Sequence, residues 1–173
     1  MSLRPVDSTS TFSIVHPDDS AVDPETSDFK GFWEAIAADP SGWQNFLKLK
    51  EGQVPTKYVI GVIRPADLCR IEDECGVEMF TAKVKNPTQL YWKCFLLSLR
   101  DIVDGPTMEI TTQAGRVEHR VPKQKHNGQD VVDPAWLENV FSRGNRVVGI
   151  FIGSVAYHWQ KMTDDDAKKS SGR

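Results

Sequence analysis

Residues 86–105, NPTQLYWKCFLLSLRDIVDG, constrain the fold more than any other stretch, because an apolar run with its own start and stop signals has to be covered on most sides. Asn86 is a favoured N-cap, Pro87 suits a first helical turn, and Asp104, Gly105 and Pro106 together read as a stop. Between them Leu90, Tyr91, Trp92, Cys94, Phe95, Leu96, Leu97, Leu99, Ile102 and Val103 leave narrow polar gaps at Lys93, Ser98, Arg100 and Asp101. The pattern predicts one long buried helix of roughly 25 Å at about 1.5 Å per residue. It is too polar and too short for a membrane span, which needs about 20 predominantly apolar residues. The predicted class is α+β, mostly helical, with a helical core around this element and a small antiparallel sheet or hairpin.

The chain has 173 residues, enough for one domain with a real core. That domain is expected over residues 28–162, between a flexible acidic arm (1–27) and a charged tail (163–173). The arm is rich in Ser, Thr, Asp and Pro, has a brief apolar patch at Phe12, Ile14 and Val15, and sets Arg4 against Asp7, Asp18, Asp19, Asp23 and Glu25. A solubilising segment is its plainer reading, and pairing with a basic surface the other. In the tail, Asp164, Asp165 and Asp166 precede Lys168, Lys169 and Arg173. A net charge of -3 argues against a general nucleic-acid binder. Three cysteines, an odd number, and no apolar signal segment near Met1 favour a reducing cytoplasm, with Cys69, Cys75 and Cys94 as free thiols.

Asp28 caps a short helix in which Phe29, Phe32, Trp33, Ile36 and Ala37 recur at helical spacing, and Trp43, Phe46, Leu47 and Leu49 form a second amphipathic turn. Residues 56–63 are β-branched enough for a buried strand. Pro65 opens a helix closed by Gly76, with Leu68, Ile71 and Cys75 inward and Asp67, Arg70 and Glu74 on a solvated outer face. Residues 77–85 suit a strand or a helix, and helix is the assignment taken. Met108, Ile110 and Thr112, then Val117, His119 and Val121, alternate about Ala114-Gly115 as a β-hairpin, followed by a polar, mildly basic loop to Asp130. Asp133-Pro134 starts a helix with Trp136, Leu137, Val140 and Phe141 inward and Gly144 as its cap. Asn145 starts a last one whose stripe is Val148, Phe151, Ile152, Val155, Trp159 and Met162. Gly149 and Gly153, four apart, predict close packing of this helix on the central one.

Motifs for chemistry are missing from the pattern. There is no Gly-rich phosphate loop, nucleophile elbow or His-Glu-x-x-His helix. His16, His119, His126 and His158 fall on four separate elements, and Cys69 and Cys75 lack zinc-ligand spacing. Glu72, Asp73 and Glu74 are consecutive on a helix and point apart, so they cannot converge on one ion. A Cys75–His119 dyad requires a fold that joins them. The expectation is a non-enzyme with no cofactor or metal, whose candidate partner-binding residues are Phe32, Trp33, Trp43 and Trp159. Core packing is the competing reading for each. The basic loop lacks the aromatic residues that stack on bases, so nucleic acid is not expected.

The order of elements from Thr56 onward resembles small tailed-bacteriophage morphogenesis proteins, especially tail assembly chaperones. Three stretches carry the resemblance: Pro55-Thr56-Lys57-Tyr58-Val59, Phe95-Leu96-Leu97-Ser98-Leu99-Arg100-Asp101-Ile102, and Asp133-Pro134-Ala135-Trp136-Leu137 leading through the last helix to Met162-Thr163-Asp164-Asp165-Asp166-Ala167-Lys168-Lys169. The hairpin over 108–121 and the acidic arm depart from the family pattern. The resemblance implies a protein that binds the tape measure protein through apolar helical surface and keeps it soluble while tail-tube subunits polymerise around it. Related alternatives are a structural virion component at the head–tail joint or in the minor tail or capsid, and, further off, a small enzyme or nucleic-acid-binding module. Self-association stays open.

Overall fold

A computed structural model describes residues 9–36, 38–78, 81–142 and 144–171, with side chains through Lys161. The architecture is α+β. Strands β1 (Thr11–Val15), β2 (Lys57–Gly61) and β3 (Leu99–Val103) form an antiparallel sheet in the order β1-β2-β3. Helices α1 (Phe29–Ala35), α2 (Pro65–Cys75), α3 (Pro87–Ser98), α4 (Pro134–Phe141) and α5 (Arg146–Ser171), with a 3-10 turn at Pro40–Asn45, complete the core. Two hairpins, β4 (Met108–Thr111) with β5 (Val117–Arg120) and β6 (Lys123–His126) with β7 (Gln129–Val132), are separate two-stranded sheets. No described helix is long and apolar enough to cross a membrane.

The expected central helix is two elements. Asn86 caps α3 as anticipated, its side chain accepting from the Gln89 amide, but the helix stops at Ser98. Leu99 turns extended (φ -73°, ψ 123°) and the chain enters β3 without a loop. Arg100 makes the switch possible. Its guanidinium donates to the carbonyls of Leu97 and Val62, both at 2.7 Å, and to Gln129 Oε1 at 3.3 Å. It thereby satisfies a C-terminal helix carbonyl, the chain just beyond β2, and β7 together. Tyr58 of β2 sits between Ile14 and Ile102 across the sheet, and all three are buried.

The expected free arm is also corrected in part. Its patch at Ile14 and Val15 is fully buried in β1, and Asp19 accepts from the amides of Ala21 and Thr56. Asp19 thus ties the arm to the start of β2, while the Asp23 side chain accepts from its neighbours Glu25 and Thr26; Arg4 and Asp7 lie outside the described residues. Residues 77–85 are a tight reversal, not a helix: Val77 bridges Val84 and Ala82 has φ 53°, while 79 and 80 lie outside the described residues. The loop after the first hairpin is itself a hairpin, turning at Asn127 (φ 49°) and Gly128 (φ 85°), the backbone signature of a type I′ turn.

Other sequence expectations hold. Asp28 and Asp133 cap α1 and α4, and Gly76 closes α2 with φ 67°. The predicted hairpin forms with Met108 opposite Arg120 and Thr111 opposite Val117. The two glycines of α5 face α3: a Cβ on Gly153 would fall on the Tyr91 carbonyl oxygen, and one on Gly149 would lie 2.6 Å from the Trp92 ring. Farther along, buried Gln160 holds Ile63 by two bonds, accepting from its amide at 3.0 Å and donating to its carbonyl at 2.6 Å. A side-chain amide here takes the place of a neighbouring strand. The helix backbone continues through Ser171, past the boundary expected at 162, while the side chains of Met162 and the acidic and basic tail residues lie outside the described set.

Candidate protein-docking surface

Helix α1 presents two consecutive aromatics with opposite fates. Phe32 is fully buried, and Trp33, a helical step of about 100° away, keeps 54% of its surface in water. The indole is held firmly nonetheless, edge-on to Phe32 at 5.2 Å between ring centres and to Phe151 of α5 at 5.5 Å. Val147 lies one turn before Phe151, on the same side of α5, and is 65% exposed. Phe151 is thus flanked by Trp33 on α1 and, one turn earlier on α5, by Val147, both largely exposed. The surroundings are charged: Lys30 and Glu34 pair at 3.9 Å on α1, and Arg146 lies 5.1 Å over the Trp92 ring.

Of the four candidate partner-binding residues, only Trp33 belongs to this surface as an accessible group. Phe32 and Trp43 are corrected to core, Trp43 being 3% exposed in the same cluster as Leu47. Trp159 is half-buried edge-on to Phe12 at 4.6 Å. It lies eight residues beyond Phe151, about 12 Å along α5. Val147 was missed because an exposed valine in the first turn of a helix carries no sequence signal apart from its place one turn before Phe151.

The titratable groups serve mainly to join elements. Asp67, expected on a solvated face, is buried and collects three partners: Arg70 at 3.2 Å, Asn127 Nδ2 at 3.2 Å and His126 Nε2 at 3.3 Å. Burial pushes its pKa up, but the hydrogen bonds from Asn127 and His126 and the charges of His126 and Arg70 bring it below the ordinary carboxylate value. The tip of the β6–β7 hairpin is thereby pinned to α2. Glu72 is likewise a joint, accepting from Tyr157 Oη at 2.8 Å and pairing with Lys161 at 2.7 Å, while Glu74 pairs with Lys93. His16 accepts from the Asp18 amide through Nδ1 and stacks edge-on against Phe151; burial lowers its pKa. His158 contacts Tyr91 Oη at 3.2 Å and is shifted down by burial as well.

Cys75 and Cys94 are buried in one small cluster with Leu90 and Tyr157, and burial pushes the Cys94 thiol up to about 12. His119 stands on exposed β5 opposite Glu109, so the imagined dyad with Cys75 does not assemble. No group of three or more His, Cys, Asp or Glu side chains among the described residues could hold a metal ion. Depressions among the described residues include two of note. One, of about 470 Å³, lies at the base of the β4–β5 hairpin between Asp101 and Arg120; the other, of about 220 Å³, is an apolar groove of Ile71, Leu96, Leu97 and Pro134. No protein-family model, curated protein or solved structure matches the chain.

Proposed function

We propose that the chain is a non-enzymatic assembly protein that seats an apolar helical stripe of another protein on the Trp33 face. The observation that carries this reading is a tryptophan half in water yet braced from below by two phenylalanine rings. A large side chain already fixed in place loses little freedom when a partner covers it, which is the character of an interface anchor. Exposed Val147 adds apolar area, and Lys30, Glu34 and Arg146 supply a polar rim. Together with the resemblance in the order of elements, this supports a tail assembly chaperone that covers the tape measure protein in the host cytoplasm until tail-tube subunits replace it.

The test is co-expression with a phage tape measure protein, followed by affinity measurement on the purified pair. Trp33→Ala is expected to weaken binding by about tenfold or more, the loss typical of a central aromatic anchor. Its melting temperature should stay near that of the parent, because the indole is already half exposed. Equal affinity in the folded variant would refute the Trp33 face. Retention of the protein in finished particles would overturn the chaperone role in favour of a virion component.

A further inference from the structure

We infer that the cleft at the base of the β4–β5 hairpin is a binding site for the C-terminal carboxylate of a polypeptide whose last residue is apolar. The cleft is walled by Asp101 of β3, Ile110 of β4 and the segment from Arg120 to Lys123 that leads from β5 into β6. Its volume of about 470 Å³ falls within the range of ordinary ligand sites, roughly 300–1,000 Å³. The side chains differ in how they are used. Lys123 is committed to Asp101 at 2.7 Å, whereas Arg120 has no carboxylate partner among the described residues. The strand register puts Arg120 opposite Met108, so its side chain shares a face of the hairpin with Ile110.

That combination selects the ligand's chemistry. A planar guanidinium without a partner offers two parallel N–H donors, the geometry that a carboxylate accepts. Ile110, Val121 and Pro122 beside it provide an apolar wall for one side chain. Glu118 is on the same hairpin face, opposite Ile110, and forms no ion pair with Arg120; together with Asp101 it disfavours a ligand of high negative charge. A single carboxylate flanked by an apolar side chain fits better than a phosphate or an acidic run. A chain end has both features and approaches from solvent, which suits a cleft open on one side. The cleft shares no residue with the Trp33 face.

The experiment is a titration of the full chain, 15N-labelled, with N-acetyl-leucine and its neutral amide, then with an acetylated pentapeptide ending in leucine and its amidated form. The acids are expected to shift the amides of Ile110, Val121 and Lys123, and to bind at least about tenfold more tightly than the amides, as a charge-assisted bond requires. The pentapeptide acid should bind more tightly than N-acetyl-leucine. Arg120→Gln should remove the preference for acid over amide, and Arg116→Gln, on the same hairpin but outside the cleft, should leave it unchanged. The proposal fails if acid and amide bind alike, if Arg120→Gln keeps the preference, or if no shifts occur at millimolar ligand. It fails as a chain-end site if N-acetyl-leucine and the pentapeptide acid bind equally, which would mark a site for small acids.

Discussion

The α3–α5 seam and the β4–β5 hairpin are built on opposite rules. Along the seam two helix backbones approach so closely that Gly149 and Gly153 are the residues that fit, with Trp92 and Phe95 closing over them. In the hairpin the strands pair with each other and, among the described residues, with no third strand, and every residue of β5 is exposed. Interior packing tolerates no extra methylene without movement, while an exposed two-stranded ribbon accepts most side chains of suitable propensity. The seam accordingly carries stability, and the surface elements are free to carry recognition.

The sharpest way to break that contrast is Gly153→Ala. The new methyl would overlap the Tyr91 carbonyl, a backbone atom that cannot swing aside, so unfolding free energy should fall by roughly 3 kcal/mol or more and the melting temperature by about 10 °C. Ser154→Ala, one position away, should cost little; because alanine is the better helix former at both positions, comparable losses from both would mean that the close approach at Gly153 does not govern the seam. Next in size is Gln160→Leu, which strips the buried Ile63 amide and carbonyl of their partners and should cost about 2–4 kcal/mol in urea unfolding.

A smaller effect concerns pH. Burial holds the His16 pKa in the folded chain below 6.5, so acid favours the unfolded state, which takes up the proton more readily. Stability is therefore intact above 6.5 and falls as pH drops from there toward the lowered folded value. His158 contributes with the same sign. His16→Gln keeps an acceptor for the Asp18 amide and cannot titrate, so its urea midpoint should decline less between about pH 7.5 and pH 5.5 than that of the parent. An undiminished decline would place the titration elsewhere. Smallest of all is Val117→Thr on β5, expected within about 0.5 kcal/mol; a large loss would show that the hairpin is part of the cooperative core.

What could be read from the residues follows the same division. Caps are local chemistry, so Asp28, Asn86 and Asp133 were legible from one or two positions. The glycine pair was legible because its spacing matches a helix face. The break at Ser98 was not, since Leu99, Ile102 and Val103 suit a helix stripe or a strand equally well. Their fate depends on β2 waiting alongside and on Arg100 reaching carbonyls of residues 62 and 97. Thr11–Val15 was hidden for a related reason: an acidic, Ser-rich stretch needs only two inward residues to complete a sheet edge. Asn127-Gly128, by contrast, is a strong turn pair that the basic character of its neighbours obscured. For the docking surface, helical spacing named Phe32 and Trp33 together, and only three-dimensional packing tells which ring is left outside.

The direct passage from α3 into β3 has a mechanical consequence. With no slack between Ser98 and Leu99, and with Arg100 gripping both sides of the joint, the helix and the strand form one rigid lever. A pull that slid α3 along its glycine-bearing neighbour would drag the third strand against the second and misalign their ladder. Motion of the two helices and integrity of the sheet are thus geared to one another.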